Sequence, residues 1–285
     1  MTRRGDNRTE SRTRGDGDEI TARRRPASAL SPAPLITLLT DFGNADYFAG
    51  AMKGAILCVN RKARIFDLTH EIPPQDIQAG AFTLLAVYKS FPAETIHVAV
   101  VDPGVGSARR PLLVAAGGQF FVGPDNGLFG HIYEREDDCR VFHLTNDEYF
   151  RHPVSPTFHG RDLFAPVAGA LSTGIGPERL GDEITDYVRL KTREPQLLGE
   201  HGLEAAIIHV DRFGNCVTNL TSEHLDQRRM ADGWRLIVNG REISSVRNFF
   251  ADGASEPGEL FVIPGSAGYL EIAAFLSSAA QLLGA

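Results

Sequence analysis

Thr95-Ile-His-Val-Ala-Val-Val101-Asp102-Pro-Gly-Val-Gly-Ser-Ala-Arg109 is the stretch on which the fold turns. Its first seven residues form a β-branched run with no solvent-facing alternation, which predicts a strand buried on both faces. Pro103 and two glycines then force a tight turn in which backbone N–H groups can approach a ligand closely. Charged residues flank that turn. Buried strands ending in such loops belong to parallel sheets, whose ligands gather at the strands' carboxyl ends.

The surrounding chain repeats the unit. Leu35–Leu39 is a short apolar run that ends in Thr40-Asp41-Phe42-Gly43. Residues 46–59 place Phe48, Met52 and Ile56 at helical spacing, Ala63–Leu68 reads as a strand, and Gln78–Phe91 as a second helix. Strands alternating with helices predict an α/β domain with a largely parallel central sheet. Pro111–Ala116 and Gln119–Val122 meet at Gly117-Gly118, a hairpin signal, and Pro156–Ser172 reads as a loop and helix.

Between about 186 and 203 Lys, Arg, Pro and Gly replace the periodic apolar residues. Beyond them the runs Ala205–Val210, Trp234–Val238, Leu260–Ile263 and Tyr269–Ala273 are spaced as in a small barrel or sandwich. The expected organisation is an Arg-rich disordered tail (1–33), an N-terminal α/β domain (34–192) and a smaller all-β, barrel-like domain (203–285). The tail lacks the apolar content to fold.

The 285 residues are 42% hydrophobic and 23% charged, as in ordinary soluble proteins. Residues 1–33 hold eight Arg and five acids, so the rest of the chain carries the whole net −7 and three negative charges more. An acidic body argues against nucleic acid as the main partner. No apolar run reaches the roughly 18–20 residues needed to span a bilayer. Three widely spaced cysteines (Cys58, Cys139, Cys216) suit neither a disulfide framework nor a thiolate zinc site. A cytoplasmic setting without membrane attachment is expected.

Three loops of the first domain carry chemistry. In 40–46, Asp41 and Asp46 can accept hydrogen bonds from ribose hydroxyls or a ligand ammonium, or cap the following helix. In 102–110, Asp102 and Arg109 can fold back on each other, as a turn-stabilising pair or as a site, and Arg110 is an alternative to Arg109. The run lacks the Gly-Lys-Ser/Thr ending of a phosphate loop. In Pro156-Thr-Phe158-His159-Gly160-Arg161-Asp162, aromatic and charged neighbours crowd a histidine at a loop–helix junction. No paired histidine spacing suggests a metal. The second domain adds Asp211-Arg-Phe213-Gly-Asn215 and Pro264-Gly265-Ser266-Ala267-Gly268, readable as ordinary hairpin loops or as ligand contacts.

Taken in order, Thr-Asp-Phe-Gly (40–43), Asp-Leu-Thr-His-Glu-Ile (67–72), Asp-Pro-Gly-Val-Gly (102–106), Pro-Asp-Asn-Gly (124–127), Thr-Phe-His-Gly-Arg-Asp (157–162) and Asp-Arg-Phe-Gly-Asn (211–215) resemble the S-adenosylmethionine hydroxide adenosyltransferases, relatives of fluorinases and chlorinases. The resemblance runs from about Leu35 to the C-terminus. It implies an N-terminal α/β domain, a C-terminal β-barrel-like domain, and a homotrimer with ligand held between neighbouring subunits. It implies hydrolysis of S-adenosylmethionine to adenosine and L-methionine, with no cofactor and no metal. Asp102, Arg109 and His159 match the family's catalytic set, and Asp41 its ribose carboxylate. Asp46, Asp211 and Ser266 match the groups on the methionine ammonium and carboxylate, Phe213 and Asn215 the adenine contacts, and Phe158 a pocket wall. Asp102 and Gly160 stand where fluorinases have Tyr and Ser, and 106–124 is too short for the fluorinase loop; both favour water over halide. Ala267 departs from the basic residue of fluorinases at the carboxylate contact. Halide-dependent adenosyl transfer and non-catalytic binding of adenosine or S-adenosylmethionine are the alternative readings.

Overall fold

A computed structural model describes residues 35–190, 194–198, 202–224, 234–253 and 256–285. The tail expected over 1–33 lies outside the described residues, as does part of the expected boundary.

Seven strands build the central sheet: β1 (Leu35–Thr40), β2 (Arg64–Thr69), β3 (Ile96–Val100), β4 (Pro111–Ala116), β5 (Gln119–Pro124), β6 (Arg140–Leu144) and β7 (Gly181–Ile184). Their order is β2-β1-β3-β5-β4-β6-β7. Pairing is parallel from β2 to β5 and antiparallel from β5 to β7, so five of the strands share one direction. Helices α1 (Phe48–Val59), α2 (Ile77–Val87), α3 (Gly130–Arg135) and α4 (Ala165–Leu171) cover the two faces.

Side-chain alternation explains the layering. Val98 and Val100 of β3 join Met52 and Ile56 of α1 and Val167 of α4 in one core. Ala99 of β3 and the following Val101 join Leu84 and Phe82 of α2 and Ile132 of α3 in the other. A strand buried on both sides is apolar except where a polar side chain finds a partner, as His97 does in Thr37 Oγ1 at 2.7 Å and Thr95 in Pro92 O at 2.7 Å, which is why 95–101 reads as it does. Met52 and Ile56, one turn apart and fully buried, fix α1; each such side chain contributes about 1.5–3 kcal/mol.

Local signals account for the element ends. Asp76 caps α2 by accepting from Ala79 N at 2.9 Å. The helix expected over 78–91 ends at Val87 and tightens into a 3-10 turn, Tyr88–Ser90, ahead of Pro92. The helix expected over 156–172 starts later, as a π-turn over Gly160–Phe164 that runs into α4. The hairpin at Gly117-Gly118 forms as expected, both glycines having positive φ.

The C-terminal region contains β8 (Gln196–Leu198), β9 (Gly202–Glu204), β10 (Ile207–Val210), β11 (Cys216–Thr218), β12 (Leu236–Val238), β13 (Arg241–Ile243), β14 (Leu260–Pro264), β15 (Leu270–Ala274) and a short helix α5 (Ala279–Leu283). Strands β10-β11-β15-β14 form an antiparallel sheet, and β8-β9 and β12-β13 separate pairs. No closed barrel is formed among the described residues. Phe82 of α2 stacks on His209 at 4.8 Å and lies 6.2 Å from Tyr269, joining this region to the first.

Candidate active site

Thr40 pairs with Val100 across the parallel β1–β3 register, so the chain leaves the sheet at Asp41 and at Asp102 side by side. Strand β2 lies on one flank of β1 and β3 on the other. The strand order reverses here, the place at which open α/β sheets commonly take their ligands. Asn126 Nδ2 donates to Val101 O at 2.8 Å and steadies the peptide before Asp102.

The 102–109 turn closes on an ion pair. Arg109 Nε donates to Asp102 Oδ1 at 2.9 Å, and Arg109 Nη2 donates to Asp102 Oδ2, a two-pronged contact with side chains only 9% and 5% exposed. Gly106 is required here: its φ is +76°, and a Cβ would lie 2.3 Å from Pro156 O. That close approach brings the 156–162 loop against the turn.

Arg109 Nη2 also lies 2.7 Å from His159 Nδ1. A guanidinium only donates, so Nδ1 must offer its lone pair and the neutral ring carries its hydrogen on Nε2. Burial and the Arg109 charge hold the His159 pKa below its ordinary value, against the opposite pull of Asp102 and Asp162. Arg109 Nη1 is buried without a hydrogen-bond partner, although the guanidinium sits 5.3 Å from the Phe164 ring centre. An unpaired buried donor is costly unless a ligand or water meets it.

His159 stands at the entry to the π-turn, and Asp162 inside it is fully buried. Asp162 accepts from Arg161 Nε and Nη2 at 2.7 Å, Arg151 Nη1 at 3.1 Å and Ser155 N at 2.9 Å. Burial would raise its pKa, but these donors outweigh it and hold the carboxyl low. Arg161 lies over the buried Phe158 ring at 4.9 Å. Phe158 meets Phe42 at 6.0 Å and Phe48 at 5.2 Å, an aromatic wall joining the His159 loop to the Asp41 loop.

Asp41 Oδ2 accepts from Gln75 N at 2.8 Å, and Asp46 is exposed. Neither caps α1: the N-cap position before Phe48 is Tyr47, with no side-chain cap, which overturns the capping alternative. Arg110 is not an alternative to Arg109: it binds Asp125 and Asp186 instead. Among the described residues no group of three His, Cys, Asp or Glu could hold a metal.

The C-terminal candidates lie elsewhere. Asp211 Oδ1 accepts from Phe213 N at 2.9 Å and Asn215 N at 2.8 Å, and Oδ2 from Asn215 Nδ2 at 2.9 Å. That loop touches α5 through Ala280 N donating to Gly214 O at 2.8 Å. It buries Asn215 and leaves Phe213 79% exposed. Ser266 and Ala267 line a cleft with Tyr88, Lys89 and Arg135, beyond the C-terminal end of α2. Asp41 meets the chain just before the other end of α2, an 11-residue helix about 16 Å long. The structure thus gathers Asp41, Asp102, Phe158, Arg109 and His159. No hydrogen bond, ion pair or ring contact among the described residues joins Asp211, Phe213, Asn215, Ser266 or Ala267 to them.

Asp162 and His70 lie inside the motifs 157–162 and 67–72, but nothing local marks the donors that gather on Asp162 or the burial of His70.

The sequence matches the family described as SAM hydroxide adenosyltransferase, its N-terminal domain over residues 36–181 and its C-terminal domain over 205–285. An "(R)-S-adenosyl-L-methionine hydrolase" of Methanocaldococcus jannaschii is 34% identical over 263 residues, covering 87% of this chain and 91% of that one. The enzyme of the same name from Salinispora tropica is 36% identical, covering 90% and 95%. A fluorinase of Nocardia brasiliensis is 25% identical, covering 84% and 90%. The crystal structure of a conserved protein from Thermotoga maritima superposes with a TM-score of 0.80 at 35% identity, covering 88% of this chain and 96% of that one.

Proposed function

The chain belongs to the SAM hydroxide adenosyltransferase family, and from that premise we propose that it hydrolyses S-adenosyl-L-methionine to adenosine and L-methionine. The relatives' names point to the (R)-sulfonium epimer as the substrate form to test first. The observation that carries the reading is the half-buried Asp102–Arg109–His159 set with one guanidinium nitrogen, Arg109 Nη1, left unpaired.

In the reaction, a water oxygen attacks ribose C5′ in line with the C5′–S bond. The bonding pair leaves with sulfur and turns the sulfonium into the neutral thioether of methionine. Arg109 Nη1 is suited to donate to the attacking oxygen and favour its hydroxide character. With His159 Nδ1 engaged by Arg109 and Nε2 already bearing hydrogen, His159 serves as a donor that orients the water. Asp102 is then the acceptor of the water's proton. A carboxylate in that place also repels halide, which supports water as the nucleophile. The aromatic wall of Phe42, Phe48 and Phe158 limits water to the one that reacts.

The substrate contacts follow the family pattern: Asp41 to the ribose diol, Phe158 against the pocket, and Asp46, Asp211 and Ser266 to the methionine end. Phe213 and Asn215 contact adenine, with backbone N–H groups at Ala267 replacing a basic side chain. Separation of the two groups within one chain supports a homotrimer in which the domain 203–285 of one subunit completes the site on the domain 34–192 of the next. No metal, cofactor or nucleic acid enters this scheme. A cytoplasmic location is supported by the free cysteines, and among the described residues no helix is long and apolar enough to cross a membrane.

The test is chromatography of purified protein incubated with each sulfonium epimer, with and without chloride or fluoride. Adenosine and methionine, independent of halide, are expected. Absence of adenosine, or a halogenated nucleoside in its place, overturns the proposal.

A further inference from the structure

One buried polar chain is left unused by the reaction. His70 is 2% exposed, and its Nδ1 lies 2.8 Å from Oγ1 of the fully buried Thr40. That hydroxyl accepts from Phe42 N at 3.2 Å and keeps its own hydrogen available to Nδ1. His70 Nε2 faces Asp67 Oδ1 at 3.1 Å, an ion-pair distance without hydrogen-bond alignment. Lys53 of α1 donates to Asp67 Oδ2 at 2.6 Å. Burial would raise the Asp67 carboxyl, but Lys53 and His70 hold it below the ordinary value.

Everything in this chain converges on one residue. Thr40 precedes Asp41, and Phe42 N is tied through Thr40 to His70. Gly43 N donates to His70 O at 2.7 Å, and Gln75 N donates to Asp41 Oδ2. The 67–75 segment therefore grips the chain before, at and after Asp41, while Asp41 Oδ1 takes no hydrogen bond from the described residues. A fold-stabilising contact needs no such polar chain, because apolar side chains of similar volume hold a core equally well.

We propose that His70, held between Thr40 and Asp67, is a positioning residue that fixes the Asp41 carboxylate for the ribose diol. The proposal rests on the hydrolase reading above. Its consequence is that His70 sets recognition of the 2′ and 3′ hydroxyls without touching them.

The test is calorimetric binding of adenosine and of 2′,3′-dideoxyadenosine to the full-length wild type, Thr40→Val, His70→Ala and His70→Gln. In the wild type, loss of both hydroxyls weakens binding by about tenfold or more, the scale of a hydrogen bond to a charged group. In Thr40→Val and His70→Ala that preference falls to about threefold or less, with dideoxyadenosine affinity unchanged, while His70→Gln regains part of it. Thr40→Val conserves volume and keeps the comparison intact if His70→Ala fails to fold. A folded Thr40→Val or His70→Ala that keeps the wild-type preference overturns the proposal. A general loss of affinity for both nucleosides does so too, since that marks a merely structural role. Failure of the wild type to bind adenosine overturns the hydrolase reading first, and this proposal with it.

Discussion

The carboxyl ends of the central strands and the C-terminal strand region treat their polar groups in opposite ways. Beyond the ends of β1 and β3, Asp102, Arg109 and His159 are half-buried and bonded to one another, and Asp162 near them is saturated with donors. In the C-terminal region, the bonds Asp211 makes among the described residues lie within its own loop, and Phe213 is exposed. The first set is held by contacts within one chain, which is what the proposed chemistry requires of it. The second is a shaped surface waiting for something to face it. An aromatic ring with 79% of its surface in water gains little for the fold and has much to gain in a contact.

The largest effect should come from the loop after β3. Asp102→Asn keeps the shape but removes the proton acceptor, and kcat should fall by about 10²–10⁴-fold with adenosine binding retained. Equal losses in both would return the pair to a structural role. A second experiment joins the two regions. Asp102→Asn and Asp211→Ala are each expected to be nearly inactive; mixing them after subunit exchange should restore about a quarter of wild-type activity if each site draws on two subunits of a ring. No recovery on exchange would place both sets in the site of a single chain.

Phe213→Ala should raise KM by about tenfold, the scale of a lost stacking contact, and leave the melting temperature unchanged because the ring is exposed. A fall in melting temperature with unchanged KM would make the ring part of the fold. The mildest test uses pH. The His159 pKa lies below the ordinary 6.5, so kcat/KM should stay flat from about pH 8 down to that value and decline only beneath it. Protonation there would place hydrogen on Nδ1, against Arg109 Nη2. His159→Gln should lose this acid limb, and a wild-type profile already falling at neutrality would contradict the neutral ring.

Legibility in the sequence followed the same division. Strand β3 was readable because burial on both faces keeps every position but His97 apolar, and the 102–109 turn because proline fixes φ while glycine reaches the positive φ needed at Gly106. Strands β6 and β7 were not. Arg140–Leu144 is short, and the edge strand Gly181–Ile184 carries two acids in four residues, so neither had a period to detect. Asp162 and His70 were visible as letters in motifs, but a role that consists of four donors or a buried relay exists only after distant segments meet. The capping alternative for Asp41 and Asp46 failed because Asp41 is instead drawn to Gln75 N, 34 residues away.

By itself the sequence determined the α/β class, the acidic body and the family to which the chain belongs, and it singled out three loops as candidates for the site. These rest on local constraints: side-chain periodicity, backbone freedom at glycine, and residue types in fixed order. Tertiary structure alone decided that Arg109 rather than Arg110 pairs with Asp102, that His159 presents Nε2–H, and that His70 stands behind Asp41. Those outcomes depend on which donors and acceptors are brought within about 3 Å in a place water does not reach. The distance and the burial are both properties of the folded chain.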